Sequence, residues 1–96
     1  MSVVSKGTIA EFIRTSYKDF TRAERKLADT LVANYPVAGL VSITEFAKTG
    51  QVSTPTVLRM IKKIGYSGFP KFQNDLRSEL QATLSNPIVK HQRWSL

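Results

Sequence analysis

Residues 42–65 read SITEFAKTGQVSTPTVLRMIKKIG, and the fold follows from how this stretch divides. Ser42 and Glu45 have the spacing of a capping box, in which each side chain satisfies a backbone amide at a helix start, and Val41 just before them can staple onto Phe46. The helical pattern breaks at Thr49-Gly50-Gln51. A second start follows at once, with Ser53 as cap, Pro55 in a first turn whose amides are unpaired in any case, and Val52 and Val57 placed for another staple. From there Val57, Met60, Ile61 and Ile64 recur at helical spacing while Arg59, Lys62 and Lys63 project elsewhere. Lys62 and Lys63 suit the negative pole of a helix, and Gly65 suits the left-handed residue that closes one. Two short helices about a tight turn, one face apolar and one basic, make a helix-turn-helix pattern. Its plain alternative is an ordinary helical hairpin in a bundle.

The flanking sequence supplies more helices. Thr8 with Glu11 is a capping box ahead of Ile9, Phe12, Ile13 and Tyr17, which share one helical face. Thr21 with Glu24 repeats the device, and Ala23, Leu27, Ala28, Leu31, Val32 and Tyr35 form one stripe until Pro36 forbids continuation. The opposite side, Arg22, Arg25, Lys26 and Asp29, reads as a solvated charged face. Val37–Val41 is apolar enough for a short strand but is bounded by Pro36 and the Ser42 cap, so a buried connector is expected. After Tyr66-Ser67-Gly68, the residues Phe69, Phe72, Leu76, Leu80 and Leu84 space out a fifth helix with Pro70 at its start, their aromatics reading as core. Met1–Gly7 carries no periodic signal and reads as frayed. The expected fold is therefore all-α: five helices around a central helix-turn-helix, with a homeodomain-like three-helical core. Residues 1–84 are the expected domain and 85–96 a tail or the start of a linker.

Ninety-six residues suffice for one small domain with a real core. The absence of cysteine excludes a disulfide staple and a thiolate metal site and suits a reducing cytoplasm. Fourteen Lys and Arg against seven Asp and Glu give a net charge of +7, which points to a polyanion partner, nucleic acid before an anionic membrane. No run approaches the roughly 18 to 20 apolar residues of a membrane span, and no export signal opens the chain. From Ser53 to Arg77 five basic residues (Arg59, Lys62, Lys63, Lys71, Arg77) less one acid (Asp75) leave +4 of that charge on the motif and its flank.

Catalytic candidates are thin. His91 is the single histidine, beside Lys90 in the tail, and reads as an exposed bystander without metal partners. Glu11, Glu24 and Glu45 have helix-start work that explains their positions. No glycine pattern makes a phosphate loop. The expectation is a non-enzyme without cofactor or metal. Duplex DNA fits better: Ser53, Thr54 and Thr56 offer hydroxyls at a helix start, Arg59 one turn on can bridge to guanine or phosphate, and Lys62, Lys63 and Lys71 can hold the backbone. Leu58 is either a thymine-methyl contact or an inconsequential exposed leucine. The rival class is a helical protein–protein interaction module whose charge only solubilises it.

The runs FTRAERKLADTLVANYP and SITEFAKTGQVSTPTVLRMIKKIGYSGFPKFQNDLRSEL resemble the N-terminal domain of the ribose phosphate isomerase regulator (RpiR) family of bacterial transcription factors, over residues 8 to 84. The most specific part runs from the Val-Ser-x-x-Thr-Val of Val52–Val57 through Ile64-Gly65-Tyr66-Ser67-Gly68-Phe69. The resemblance implies a cytoplasmic regulator of sugar metabolism that binds a palindromic operator as a homodimer. It also implies a following sugar isomerase domain, absent from these 96 residues, through which a phosphosugar effector would act. The sequence is then expected to be a fragment, with a free-standing domain as the alternative. One departure stands in the turn: the family generally has Gly where this chain has Gln51, with Gly50 one residue earlier. If Gln51 takes positive φ, strain of about 1 kcal/mol follows.

Overall fold

Four hydroxyl side chains set where four helices begin. In the computed structural model, which describes residues 7–85, Thr8 Oγ1 accepts from the Glu11 amide at 3.2 Å and Glu11 Oε1 accepts in return from the Thr8 amide, opening α1 (Ile9–Ser16). Thr21 and Glu24 make the same reciprocal pair ahead of α2 (Arg22–Ala33). Ser42 accepts from the Glu45 amide at 3.1 Å ahead of α3 (Ile43–Gly50), so the expected third box forms only in its forward half. Ser53 caps α4 (Thr54–Lys63) through the Thr56 amide, and α5 spans Phe69–Ser85. Short 3-10 turns at Tyr17–Asp19 and Val37–Gly39 complete the described residues, which contain no strand; the Val37–Val41 connector turns rather than extends. The expected frayed start up to Lys6 and the tail from Asn86, including His91, lie outside the described residues.

Helices α2, α3 and α4 each pack on the other two, which is the three-helical centre the sequence predicts. Leu27 and Leu31 of α2, Phe46 of α3 and Val57, Met60 and Ile61 of α4 are fully buried there. Ile9 and Ile13 of α1 and Phe72 and Leu76 of α5 close the cluster. Phe46 and Phe72 stack with ring centres 6.2 Å apart, Phe69 tilts against both, and Tyr66 meets Phe72 edge-on, so the aromatics flanking the motif pack the core.

Two positions on the apolar stripes lie outside the core. Val32 is 51% exposed because it sits about 100° around α2 from Leu31, on the rim of a groove shared with Ala10, Ile13 and Tyr17. Leu84 is also exposed and Leu80 only half-buried, since the end of α5 runs past the helices that cover Phe72 and Leu76. Periodicity identifies a stripe; it does not say how far a neighbour extends along it.

The turn between α3 and α4 divides its demands between two residues. A Cβ on Gly50 would lie 2.7 Å from Leu27 Cδ1 and 3.4 Å from Leu27 Cα, so the absence of a side chain lets α3 close onto α2. Gln51 takes the left-handed conformation, φ 59° and ψ 43°, with its amide donating to Lys48 O, and Val52 N donating to Ala47 O at 2.9 Å ties off the helix end. Gln51→Gly should remove the left-handed penalty and lose part of that gain to the greater freedom of the unfolded chain, a net stabilisation of about 0.5 kcal/mol. The thermal midpoint by circular dichroism should rise by about 2–4 °C. A lower midpoint would mean that the glutamine side chain contributes more than its backbone costs.

Candidate nucleic-acid interface

Burial sorts the side chains of α4. Val57, Met60 and Ile61 face the core. Pro55, Leu58, Arg59 and Lys62, spaced three, four and seven residues from the first, are exposed along one stripe, with Ser53 exposed and Thr54 half-exposed at its head. Among the seven residues expected to meet DNA, Ser53, Thr54, Arg59 and Lys62 are brought together on this surface. Leu58 lies among them, 37% exposed.

Thr56 and Lys63 are placed differently, and Thr56 does not face outward as a reader would. Its side chain is 5% exposed, pairs with Ser53 Oγ at 2.9 Å and accepts from Arg59 Nη2 at 3.3 Å. The helical repeat places Thr56 one residue before Val57 and four before Met60, on the edge of the packed face. Lys63 Nζ donates to Glu24 Oε1 at 2.7 Å and to the carbonyl of Asp19 at 3.0 Å, so its charge is engaged within the domain. Lys71 is on α5 and exposed, paired with Asp75 at 3.4 Å beside a cleft that Gly7, Phe12 and Tyr66 also line. Tyr66 donates to Asp75 at 2.5 Å; burial first, and then that carboxylate, pushes its phenol upward.

Glu24 is what sequence reasoning missed. Its expected task, the capping box, is present, but the same carboxylate is fully buried and is shared with α4. Burial alone would push its carboxyl upward; the Lys63 hydrogen bond, the Thr21 amide and the charges of Lys63 and Arg59 outweigh that and hold it below the usual carboxylate range. A glutamate at the third position of a helix has a sufficient local reason to be there, so nothing local announces a partner 39 residues away.

Among the described residues no group of three or more His, Cys, Asp or Glu side chains is placed to hold a metal ion, and no helix is long and apolar enough to cross a membrane. What α4 presents is a short, rigidly seated helix with cations and hydroxyls outward, the side-chain types that pair with phosphates and with base edges. Residues 7–85, the whole described region, match the helix-turn-helix domain of the rpiR family. The chain belongs to that family. This rpiR-family domain is 33% identical over 84 residues to an uncharacterised HTH-type transcriptional regulator of Haemophilus influenzae, covering 88% of this chain and 29% of that protein. It is 33% identical to the HTH-type transcriptional regulator HexR of Pseudomonas aeruginosa, over 75% of this chain and 25% of that one. It is 31% identical to the uncharacterised HTH-type transcriptional regulator YfhH of Escherichia coli, over 80% and 27% respectively. The chain thus spans under a third of the length of these relatives. No solved structure matches it significantly.

Proposed function

We propose that this rpiR-family domain is the DNA-binding part of a bacterial transcription regulator of carbohydrate metabolism. The observation that carries the reading is the outward stripe of α4, where Arg59 and Lys62 stand beside Ser53 and Thr54 with no acid among them. In this reading α4 lies in the major groove, Ser53, Thr54 and Arg59 meet base edges, and Lys62 holds phosphate. Thr56 and Lys63 support from behind, and Lys71 is at most a peripheral backbone contact. The operator is palindromic and the protein dimeric, with half-sites about one helical turn or a multiple apart. The sugar-metabolism assignment rests on the family resemblance, as does a phosphosugar effector, which would act through a second domain in a longer protein.

The test uses a duplex selected by the wild-type chain from a randomised pool, against a scrambled duplex of the same composition, at about 150 mM salt. Arg59→Ala should weaken the selected duplex by about tenfold or more, from the roughly 1–3 kcal/mol of one bidentate base contact, and weaken the scrambled duplex far less. If Arg59→Ala binds each duplex as well as the wild type does, Arg59 is not a reader. Affinity that does not fall as salt rises would favour the protein-interaction reading instead, because phosphate contacts release counterions and apolar ones do not.

A further inference from the structure

The buried Glu24 carboxylate lies behind the exposed face of α4, and its two oxygens are used unequally. Oε1 accepts from the Thr21 amide at 2.9 Å and from Lys63 Nζ at 2.7 Å. Oε2 is buried and takes no hydrogen bond; Arg59 Nε stands 3.8 Å from it. Burying a carboxylate is costly unless hydrogen bonds and opposite charge offset the lost solvation, and here Lys63 shares that charge with Arg59, whose side chain is itself 61% exposed. On its other side Arg59 donates from Nη2 to Thr56 Oγ1 at 3.3 Å, and Thr56 is itself fixed by Ser53. Arginine has five N–H donors in a rigid fork. Nε lies toward Glu24 and Nη2 gives one hydrogen to Thr56, while both hydrogens of Nη1 and the second of Nη2 are uncommitted among the described residues. Those two nitrogens are the pair of donors that a bidentate contact to guanine O6 and N7 requires.

We propose that Glu24 is a positioning residue for base reading, which aims Arg59 from behind and withholds Lys63 from the DNA backbone. The inference rests on α4 being the DNA-reading helix. It divides the basic residues of one helix into two kinds. Arg59 keeps its outward donors while its stem is held, so little side-chain freedom remains to be lost on binding. Lys63, bound to Glu24 and to the Asp19 carbonyl, balances a buried charge and releases no counterion from DNA.

Glu24→Gln keeps a side-chain carbonyl to accept from the Thr21 amide and removes the charge. Measured with the full 96-residue chain on the selected and scrambled duplexes described above, it should lower the ratio of the two affinities about tenfold. The salt dependence on the scrambled duplex should steepen by about 0.9 as Lys63 becomes a phosphate contact. In an Arg59→Ala background the same substitution should leave the ratio unchanged. Loss of affinity in equal proportion on both duplexes, the result of a merely structural role, overturns the proposal, and so does an effect on the ratio that survives in the Arg59→Ala background. If Glu24→Gln does not fold, 15N NMR of the wild-type chain decides: an Arg59 Nε–H exchanging with water more slowly than that of exposed Arg22 supports the proposal, and equal rates overturn it. A wild-type chain that does not discriminate the duplexes overturns the DNA-reading assignment itself, whereas Arg59→Ala losing discrimination while Glu24→Gln keeps it overturns the positioning role alone.

Discussion

Phe46→Ala should destabilise the domain by about 4 kcal/mol. Phe46 is fully buried, stacked on Phe72 and tilted against Phe69, and it carries α3 into the aromatic cluster at the start of α5. Helix α3 has only eight residues, too few to persist without packing, so the ring seats the helix as well as filling space. Collapse into the vacated volume is resisted by neighbours already at full packing, and the loss therefore includes a cavity term besides the lost transfer energy. Against a total stability of about 5–15 kcal/mol for a domain of this kind, the variant should unfold at a much lower urea concentration, with a thermal midpoint reduced by about 15 °C or more. Phe46→Leu, which keeps most of the volume, should cost about 1 kcal/mol. A Phe46→Ala loss below about 1 kcal/mol would show that α3 is held by its cap and its contact with α2 rather than by the stack.

Lys63→Met should cost about 2–3 kcal/mol at neutral pH, most of it because Glu24 keeps a buried negative charge with only the more distant Arg59 facing it. The figure sits at the low end of the range for broken buried pairs because about a third of Lys63 is exposed and its attraction is partly screened. The dependence on pH separates this mechanism from lost packing. In the wild type the Glu24 carboxyl is held below its ordinary range in the folded state, so its contribution is present above the unfolded pKa and is lost as pH falls through the folded one. In the variant the Lys63 hydrogen bond is gone and burial, the upward push, gains weight; the folded form then tolerates protonation better than before. The stability gap between the two proteins should therefore be widest near neutral pH and narrow toward about pH 4, as read from urea midpoints across the range. A gap that stays constant with pH would assign the loss to the aliphatic stem of Lys63 instead.

The fold was legible where a device is local. Thr8 with Glu11 and Thr21 with Glu24 are recognised within four residues, Pro36 and Gly65 mark ends by their own backbone restrictions, and the 3.6-residue stripe of α4 sorts Val57, Met60 and Ile61 inward without knowledge of what covers them. Gln51 shows the same locality: a left-handed residue was required at the turn, and the chain supplies it without glycine. What sequence could not supply was the extent of a neighbour or the second use of a side chain. Val32 and Leu84 carry the correct period and lack cover. Thr56 has the chemistry of a reader and the position of a brace, and a rotation of a few tens of degrees about the helix axis decides between them. Glu24 has a complete local explanation that conceals its contact with Lys63 across the domain. Gly50 resembles a turn glycine, yet its missing side chain serves the approach of α3 to Leu27.

The start of α1 carries a consequence for how the chain assembles during synthesis. The amide of Ile9 donates to Glu79 Oε2 at 2.9 Å, 70 residues downstream, and the amide of Ala10 donates to Tyr35, whose hydroxyl in turn meets the same glutamate. Eight residues are too few for α1 to hold its shape while it waits. At roughly 5–20 residues per second, a ribosome needs several seconds to add the residue that completes the first turn. Among the described helices the first to be translated is thus among the last to be secured, because the amides at its start wait for Glu79.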